Sequence, residues 1–408
     1  MNSKEIMHHT VIGLEKFFMP LIPISTPTSF VGIGSTKQLA IVISGMNVQH
    51  LLIVTDRILS EIGVIKTVTK QLDQAGIKWS TYDGVQPDPN FEQVKAGYKY
   101  YVESDCDAVL AVGGGSSIDA AKVIAAMATN RKPIEKLVGN FKIRKATAPF
   151  FAIPTTAGTG SEATIASVIS DQSSGVKNFF ADPKLIPTAV ALDPSLMTSM
   201  PSHVTAATGI DALTHAIESY LCLTATKKTK MQARTAVKLI FEYLPICYND
   251  GDNLDARTAM ALASFYAGMA FTRTGVGYVH AIAHAFGTKY HTPHGLANAV
   301  GLSHVLEFSR PNAKKQLAEL ADIIGLKSGT QEEGALLFID SVRNLLINVN
   351  ISPTLAALRE YDIPDIAGQA LNEARALYPV PRYMDQKSCE EILNRMLVKV
   401  DIKQSEVA

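Results

Sequence analysis

The chain has 408 residues, of which 47% are hydrophobic and 19% are charged, an ordinary composition for a globular protein. Basic and acidic residues each number 38, so the net charge is zero and neither a nucleic-acid surface nor a polybasic membrane patch is indicated. The sequence contains no run of about 18 apolar residues, so no membrane span is predicted. The four cysteines form no CxxC pair, which is typical of free thiols in a reducing compartment, and we expect a cytoplasmic protein.

Short apolar runs alternate with helical patterns over the first 200 residues. The runs predict strands at 29–34, 50–56, 77–83, 107–115, 149–156, 162–170 and 188–193. Helical patterns lie between most of these runs, for example at 90–103 and 116–128. Alternation of this kind predicts a mostly parallel, doubly wound sheet with helices on both faces.

After Pro201 the strand pattern stops and one helical pattern follows another. Helices are predicted at 203–223, 229–247, 255–273, 276–288, 295–309, 311–325 and 331–348. A chain of this length is sufficient for two domains, each with its own core. We predict an α/β domain over 1–199 and an all-helical domain over 200–408.

A glycine-rich segment ends the fourth predicted strand. Gly113, Gly114 and Gly115 allow the backbone to approach a bulky anion closely, and a helix begins near Ser116. The free N–H groups and the dipole at a helix start favour a phosphate. We therefore predict a pyrophosphate site and a dinucleotide-binding role for the first domain, although a tight turn without a ligand would use the same glycines.

Two other segments follow predicted strands at the same edge of the sheet. Asp56 places a carboxylate where it accepts from ribose hydroxyls and repels a 2′-phosphate, which favours NAD over NADP, but a helix N-cap explains it equally well. Thr155, Thr156 and Thr159 supply hydroxyls in a glycine-containing loop. Alone they would indicate a threonine-rich turn, and their place beside the glycine segment favours a cofactor role.

Histidines are concentrated in the helical half. Half of the ten lie between residues 280 and 304. Asp211 and His215 are four residues apart, as are His280 and His284, so each pair shares one face of a helix. With His294 after a turn, the pattern supplies the carboxylate and imidazoles that a divalent transition metal binds.

We predict Asp211, His215, His280 and His294 as the metal ligands, because they form a set with a matching helical face. The role of His284 and His291 stays open, since both would exceed a shell of four ligands. One carboxylate and three imidazoles suit Fe²⁺ or Zn²⁺ as a Lewis acid.

Five motifs resemble the iron-containing (group III) alcohol dehydrogenases, the family of lactaldehyde reductase and of the butanol and 1,3-propanediol dehydrogenases. They extend over most of the chain and are VGGGSSIDAAK (112–122), IPTTAGTGSE (153–162), ALDPSLM (191–197), GIDALTHAIE (209–218) and HAIAHAFGTKYHTPHG (280–295). The last two are the most specific. The family shares its fold with dehydroquinate synthase, so the resemblance implies a dehydroquinate synthase-like architecture.

The resemblance implies roles for individual residues. It implies the same four metal ligands, with His284 as a neighbouring histidine near the substrate and the nicotinamide ribose. Cofactor contacts are implied for Asp56, Gly114, Gly115, Ser116, Thr155, Thr156, Thr164, Lys177 and Leu196. It also implies Fe²⁺ as the metal, with Zn²⁺ or Ni²⁺ as alternative occupants, NAD as the cofactor, a small alcohol or aldehyde as the substrate, and a homodimer.

Two positions depart from the family pattern. Asp88 stands between two prolines where the family often has an asparagine that faces the active site. Ala166 stands where the lactaldehyde reductase type has an asparagine, and loss of that amide would open the pocket.

The function that we predict is reversible, NAD(H)-dependent interconversion of a primary alcohol and an aldehyde. Phe271 and Val276 are candidate pocket walls, or simply core. One alternative is a metal- and NAD-dependent lyase or cyclase of the dehydroquinate synthase type, which would require Lys and Arg near the ligand motifs. The other is a non-catalytic, metal-binding structural subunit.

Overall fold

The computed structural model describes residues 12–13, 16, 22–172, 176–374 and 378–398. The strands of these residues all precede residue 193. They are β1 (Thr28–Val31), β2 (His50–Asp56), β3 (Lys78–Val85), β4 (Ala108–Gly113), β5 (Gly139–Asn140), β6 (Phe150–Pro154), β7 (Ala166–Asp171), β8 (Val176–Ala181) and β9 (Ala189–Leu192).

Six of these strands form one parallel sheet in the order β1-β9-β6-β4-β2-β3. Strands β4 and β6 are buried at every residue, which is the pattern of strands covered on both faces. Because parallel strands end at the same edge, Asp56, Gly113 and Pro154 lie along one edge of the sheet. The predicted doubly wound sheet is confirmed.

Helices cover both faces of this sheet. Those of the first half are α1 (Ser35–Ser44), α2 (Arg57–Glu61), α3 (Val64–Gln74), α4 (Phe91–Glu103) and α5 (Gly115–Asn130). Strand β2 alternates between two cores, since Leu51 and Ile53 pack with apolar residues of α1 and α3, whereas Leu52 and Val54 pack with those of α4 and α5. The alternation of side chains along a strand therefore buries one helical layer on each side.

A small second sheet was not predicted. Strands β7 and β8 are antiparallel, and β5 pairs with β8 in parallel. The predicted strand at 162–170 was wrong over its first residues, where Ser161–Ala163 form a 3₁₀ turn. Gly160 adopts a left-handed conformation (φ +59°) and turns the chain before β7 begins, so this strand leaves the parallel sheet.

The second half of the described chain is helical, as predicted. Its helices are α6 (Ser202–Leu221), α7 (Lys227–Asn249), α8 (Leu254–Thr274), α9 (Tyr278–Tyr290), α10 (His294–Ile323), α11 (Gln331–Asn348), α12 (Ile363–Ala374) and α13 (Gln386–Arg395). Within the described ranges, no helix combines the length and apolar character that crossing a membrane requires.

Helix α10 corrects the prediction of two helices separated at Pro311. It continues through this proline for 30 residues. Proline removes one backbone donor, and its ring crowds the carbonyl four residues earlier. The Arg382 guanidinium donates to the carbonyl of Phe308 at 2.7 Å and lies 4.2 Å from the Phe308 ring centroid. Arg382 thus gives a carbonyl three residues before the proline a donor from outside the helix, a contact that the helix sequence alone does not reveal.

A close backbone contact joins the loop after β6 to helix α8. A Cβ atom added to Gly160 would lie 2.6 Å from the carbonyl oxygen of Ser264, and one added to Gly268 would lie 2.5 Å from the carbonyl oxygen of Gly160. Both distances are shorter than side-chain contacts allow. The paired glycines therefore set how closely the loop approaches the helical half.

Substitution of Gly268 by alanine tests this contact. We expect Gly268→Ala to reduce the free energy of unfolding by about 1–3 kcal/mol, because the added methyl group forces backbone apart. Gly368→Ala is the matched control, since a Cβ atom there meets nothing within 4 Å and the residue lies inside α12. This control should be neutral or stabilising by roughly 0.5–1 kcal/mol. Equal denaturation midpoints for both variants would contradict the close contact.

Candidate metal and cofactor site

Three helices carry the predicted metal ligands to one place. Helix α6 supplies Asp211 and His215 one turn apart, α9 supplies His280 from its first turn, and α10 begins at His294. The Asp211 Oδ1 atom lies 3.8 Å from His215 Nδ1, 3.7 Å from His280 Nε2 and 3.5 Å from His294 Nε2. One carboxylate oxygen is therefore the centre on which the three imidazoles converge.

The donor atoms at this centre fit a divalent cation. Asp211, His215 and His280 each offer one ligand atom within 4.8 Å of the other two, and all three residues are buried. His215 Nδ1 and His280 Nε2 are buried nitrogen atoms without a hydrogen-bond partner. Unpaired polar atoms are costly in a protein core, and a cation at this position would coordinate both nitrogens.

His294 is more open than the other three residues. Its side chain is 38% exposed, and it lies outside the compact group of three.

Burial lowers the pKa of His215 to about 3, so this ring is neutral at physiological pH and keeps a lone pair for a metal. Burial raises and the surrounding imidazoles lower the pKa of Asp211, and the net shift is downward. The carboxylate is therefore ionised.

Glu218 is a site residue that the sequence analysis missed. Its Oε2 atom accepts from His280 Nδ1 at 2.7 Å, and its carboxylate also accepts from the backbone N–H groups of Gly277 and Val279. Burial lowers the pKa of His280, but Glu218 and Asp211 outweigh it and raise the pKa to about 9 in the metal-free protein. A cation bound at Nε2 would displace the proton there and leave Nδ1 protonated toward Glu218. The signal was present in the sequence, because Glu218 lies three residues after His215 on the face of α6 that carries the ligands.

Asn298 is a second missed residue. It is fully buried one turn after His294, and its Nδ2 donates to Asp211 Oδ1 at 2.7 Å. The same Nδ2 lies 3.2 Å from His294 Nε2. The amide thus holds the central carboxylate from the side of α10. Its spacing of four residues from His294 was the available signal.

His284 lies beside the ligands and faces outward. Its ring stacks on that of His294 with centroids 5.3 Å apart, and its side chain is 30% exposed. His284 Nδ1 lies 2.6 Å from Glu373 Oε1, which also accepts from the hydroxyl of Tyr378. His291, in contrast, is exposed at the C-cap of α9 with φ 53°. Of the two histidines left open by the sequence, only His284 borders the ligand cluster.

Phe271 lines the other side of the cluster. Its ring stacks on His215, with centroids 4.1 Å apart and an angle of 14° between the planes. This contact covers the imidazole with an apolar surface and orients it. Val276 is partly buried in the segment between α8 and α9.

The glycine-rich loop meets the threonine-rich loop at the edge of the parallel sheet. A Cβ atom on Gly115 would lie 2.7 Å from Thr159 Cγ2, and one on Gly114 would lie 3.3 Å from Thr156 Oγ1. Gly113 has φ +153°, and its carbonyl accepts from the Thr155 N–H at 3.0 Å. Helix α5 begins at Gly115, slightly earlier than predicted, so Ser116 lies in its first turn. The structure thus brings together the residues predicted for a pyrophosphate.

Other predicted cofactor residues are differently placed. Asp56 caps α2, because its Oδ1 accepts from the Leu59 N–H at 3.0 Å. Leu196 is 4% exposed and packs in the core beneath the sheet edge. Lys177 on β8 pairs with Asp88 at 3.2 Å, and a Cβ atom on Gly287 of α9 would lie 3.9 Å from its Nζ atom. The Lys177 Nζ atom therefore lies between Asp88 and helix α9.

A buried lysine holds the threonine-rich loop from below. Lys122 is fully buried in α5, and its Nζ atom donates to oxygens of Ser161, Thr164 and Ala166 at 2.6–3.0 Å. Thr164, predicted as a cofactor contact, is 2% exposed, and its hydroxyl oxygen accepts from Lys122 in this network. Asp119 accepts from the Ser161 hydroxyl at 2.6 Å. These contacts fix the loop between β6 and β7 to α5.

Both halves of the chain match models of one protein family. Residues 26–194 match a family model described as iron-containing alcohol dehydrogenase, and residues 205–397 match the C-terminal model of the Fe-containing alcohol dehydrogenase family. The chain is 40% identical over 352 residues to alcohol dehydrogenase 4 of Saccharomyces cerevisiae, which covers 85% of this chain and 91% of the yeast protein.

Two further relatives extend the comparison. The NAD-dependent methanol dehydrogenase of Bacillus methanolicus is 39% identical over 312 residues, which covers 76% of this chain and 80% of that enzyme. The crystal structure of a 1,3-propanediol oxidoreductase superposes with a TM-score of 0.89 at 33% identity. The superposition covers 92% of this chain and 99% of that structure.

Glu162, beside Lys122, predicts a dependence of stability on pH. Burial raises the pKa of Glu162 from 4.5 to about 7. As pH rises from 4.5 to 7, the unfolded chain ionises this group first, so folded stability is lost over that window. Between pH 5 and pH 8, we expect the free energy of unfolding of the wild type to fall by about 1–3 kcal/mol relative to that of Glu162→Gln. Chemical denaturation of both proteins at the two pH values measures this difference.

The control for this experiment is Glu61→Gln, which changes a carboxylate that is 67% exposed. Its stability should follow that of the wild type at both pH values. An unchanged difference between wild type and Glu162→Gln at pH 5 and pH 8 would show that Glu162 does not titrate in this range.

Proposed function

The chain belongs to the iron-containing alcohol dehydrogenase family, and from this premise we propose that it interconverts a small primary alcohol and its aldehyde with NAD(H). The observation that carries the proposal is the buried cluster of Asp211, His215 and His280, with two unpaired imidazole nitrogens directed at one carboxylate. Neither a lyase reaction nor a purely structural role finds support in a specific contact of this cluster.

We propose Fe²⁺ as the metal, held by Asp211, His215, His280 and His294. One anionic oxygen and neutral imidazole nitrogens are ligands that Fe²⁺, Zn²⁺ and Ni²⁺ all accept. When bound, the metal supplies Lewis-acid polarisation of the substrate oxygen, and NAD supplies or accepts the hydride. The chain's own residues orient the substrate and move the proton.

His284 is the residue proposed to move that proton. Its ring lies against His294 and its Nδ1 atom lies 2.6 Å from Glu373, while part of the side chain contacts solvent. A histidine in this position links the ligand cluster to the protein surface. We assign it as the proton carrier between substrate and solvent.

The cofactor is proposed to bind along the sheet edge. Gly113, Gly114, Gly115 and Ser116 would hold the pyrophosphate at the start of α5, where backbone N–H groups favour an anion. Asp56 would accept from the adenosine ribose at the end of β2, which selects NAD over NADP. Thr155, Thr156 and Thr159 would contact the remainder of the cofactor, as would Lys177 near the metal cluster.

Three further assignments are proposals. The domains are 1–199, which binds the cofactor, and 200–408, which binds the metal. A homodimer and a cytoplasmic location are expected from the family and from the cysteine content.

Asp88 and Ala166 bear on the substrate, because Asp88 pairs with Lys177 and the side chain of Ala166 is small. Because Ala166 offers no amide, we propose a substrate alcohol that needs no amide contact at residue 166.

Metal dependence is the first test of this function. Protein treated with a chelator should lose oxidation of NADH at 340 nm with short aldehydes, and anaerobic Fe²⁺ or Zn²⁺ should restore it. His280→Ala should lower kcat/KM by about 10³-fold or more, because it removes a ligand to the Lewis acid.

His304→Ala is the control, since His304 bonds the carbonyl of Pro353 at 3.0 Å and lies outside the ligand cluster. It should keep its activity. Full activity of the chelated enzyme with every aldehyde would contradict a metal-dependent reaction.

Cofactor preference is the second test. Asp56→Asn keeps a side-chain oxygen for capping α2 and removes the charge that repels a 2′-phosphate. We expect the ratio of kcat/KM for NADH over NADPH to fall roughly tenfold, since one partly screened charge is lost. The ratio is measured for the wild type and for Asp56→Asn under identical conditions. An unchanged ratio would mean that Asp56 acts only as the N-cap.

A further inference from the structure

We propose that Glu218 is a positioning residue that fixes the tautomer and the direction of His280 and ties both to the start of helix α9. The inference rests on the proposed metal-dependent function. It assigns to one carboxylate the task of preparing His280 Nε2 as a ligand atom, and it predicts that metal affinity depends on a residue that does not touch the metal.

The carboxylate of Glu218 is shared among three donors. Oε2 accepts from the Gly277 N–H at 2.7 Å and from His280 Nδ1 at 2.7 Å, and Oε1 accepts from the Val279 N–H at 2.8 Å. The Glu218 side chain is 8% exposed, so water does not replace these contacts. An ionised carboxylate only accepts hydrogen bonds, and it therefore matches a set made entirely of donors.

The same contacts complete the N-terminus of α9. Its N-cap residue is Gly277, which has no side chain to accept a hydrogen bond from the first turn. Glu218 of α6 accepts from two of the backbone N–H groups at this end instead, and its negative charge suits the positive end of the helix dipole. The position of α9 is thereby coupled to α6, which also carries Asp211 and His215.

The hydrogen bond to Nδ1 determines which nitrogen of His280 is free. When Nδ1 carries the proton that it donates to Glu218, Nε2 has the lone pair. Nε2 is the buried nitrogen without a partner, 3.7 Å from Asp211 Oδ1. A carboxylate behind a metal-binding histidine commonly fixes its tautomer in this way, and removal of such a group weakens metal binding by about 10–100-fold.

Glutamine cannot replace Glu218 in this arrangement. Its amide has one oxygen and one NH₂ group, so the NH₂ group would face at least one of the three donors. Either a backbone N–H group of α9 or Nδ1 of His280 would lose its acceptor. The charge that favours the proton at Nδ1 would be lost as well.

The test measures the affinity of the chelator-treated protein for Co²⁺ and the visible spectrum of the bound ion, without a substrate. We expect Glu218→Gln to raise the Kd for Co²⁺ by about 10–100-fold and to change the spectrum, while the Kd for NADH is unchanged. The control is Glu319→Gln, which removes the carboxylate charge beside the Tyr220 hydroxyl, two residues from Glu218, and contacts no proposed ligand. The control should bind Co²⁺ as the wild type does.

A second variant moves the carboxylate without removing it. A Cβ atom on Gly277 would lie 2.7 Å from Glu218 Oε1, so Gly277→Ala should displace the carboxylate and weaken Co²⁺ binding in the same direction. Its backbone is extended (φ −130°), which alanine adopts without strain. This variant also serves if Glu218→Gln does not fold.

The outcomes separate the inference from the proposed function. Wild-type affinity and spectrum in both Glu218→Gln and Gly277→Ala would overturn the positioning role and leave the metal site intact. Absence of Co²⁺ binding in the wild type would overturn the metal-dependent function itself.

Discussion

Burial of one carboxylate is the constraint on which the helical half depends. Asp211 lies in the core between α6, α9 and α10, where an isolated negative charge would be strongly unfavourable. Three imidazoles and the Asn298 amide surround its oxygen at hydrogen-bonding or near-bonding distances. The same groups that accompany this buried carboxylate would hold a cation there. One set of contacts thus accompanies the burial of Asp211 and supports the proposed metal site.

The α/β half places its own loops toward the same region. Parallel strands bring Asp56, the glycine loop and the threonine loop to one edge of the sheet. Lys122 then fixes the threonine loop from inside the protein, so its shape does not depend on solvent-exposed contacts. The paired glycines 160 and 268 bring this loop against α8, the helix whose Phe271 covers His215. A rigid path of packed groups thus connects the two proposed binding regions.

The sequence predicted the parts of this arrangement that depend on local spacing. The i, i+4 spacing in α6 and α9 predicted shared helix faces, and the structure does bring Asp211, His215 and His280 together. Contacts between distant segments were not predictable in the same way. Glu218 ends a recognised motif, but its bond to His280 of another helix did not follow from that motif, nor did the bond from Asn298 to Asp211. The pairing of β7 with β8 and the contact of Arg382 with the continuous helix α10 likewise join separate segments.

The facing glycines also constrain how this sequence can evolve. A side chain on either Gly160 or Gly268 would collide with the backbone opposite. A mutation at one of these positions therefore does not allow a larger residue at the other. Compensation would require the whole loop to move away from α8, which would break the contacts of Lys122 at the other end of that loop. Sequence drift in the helical half is therefore limited by a residue of the α/β half. The two halves must change together at this point, as the buried cluster that runs through both of them also requires.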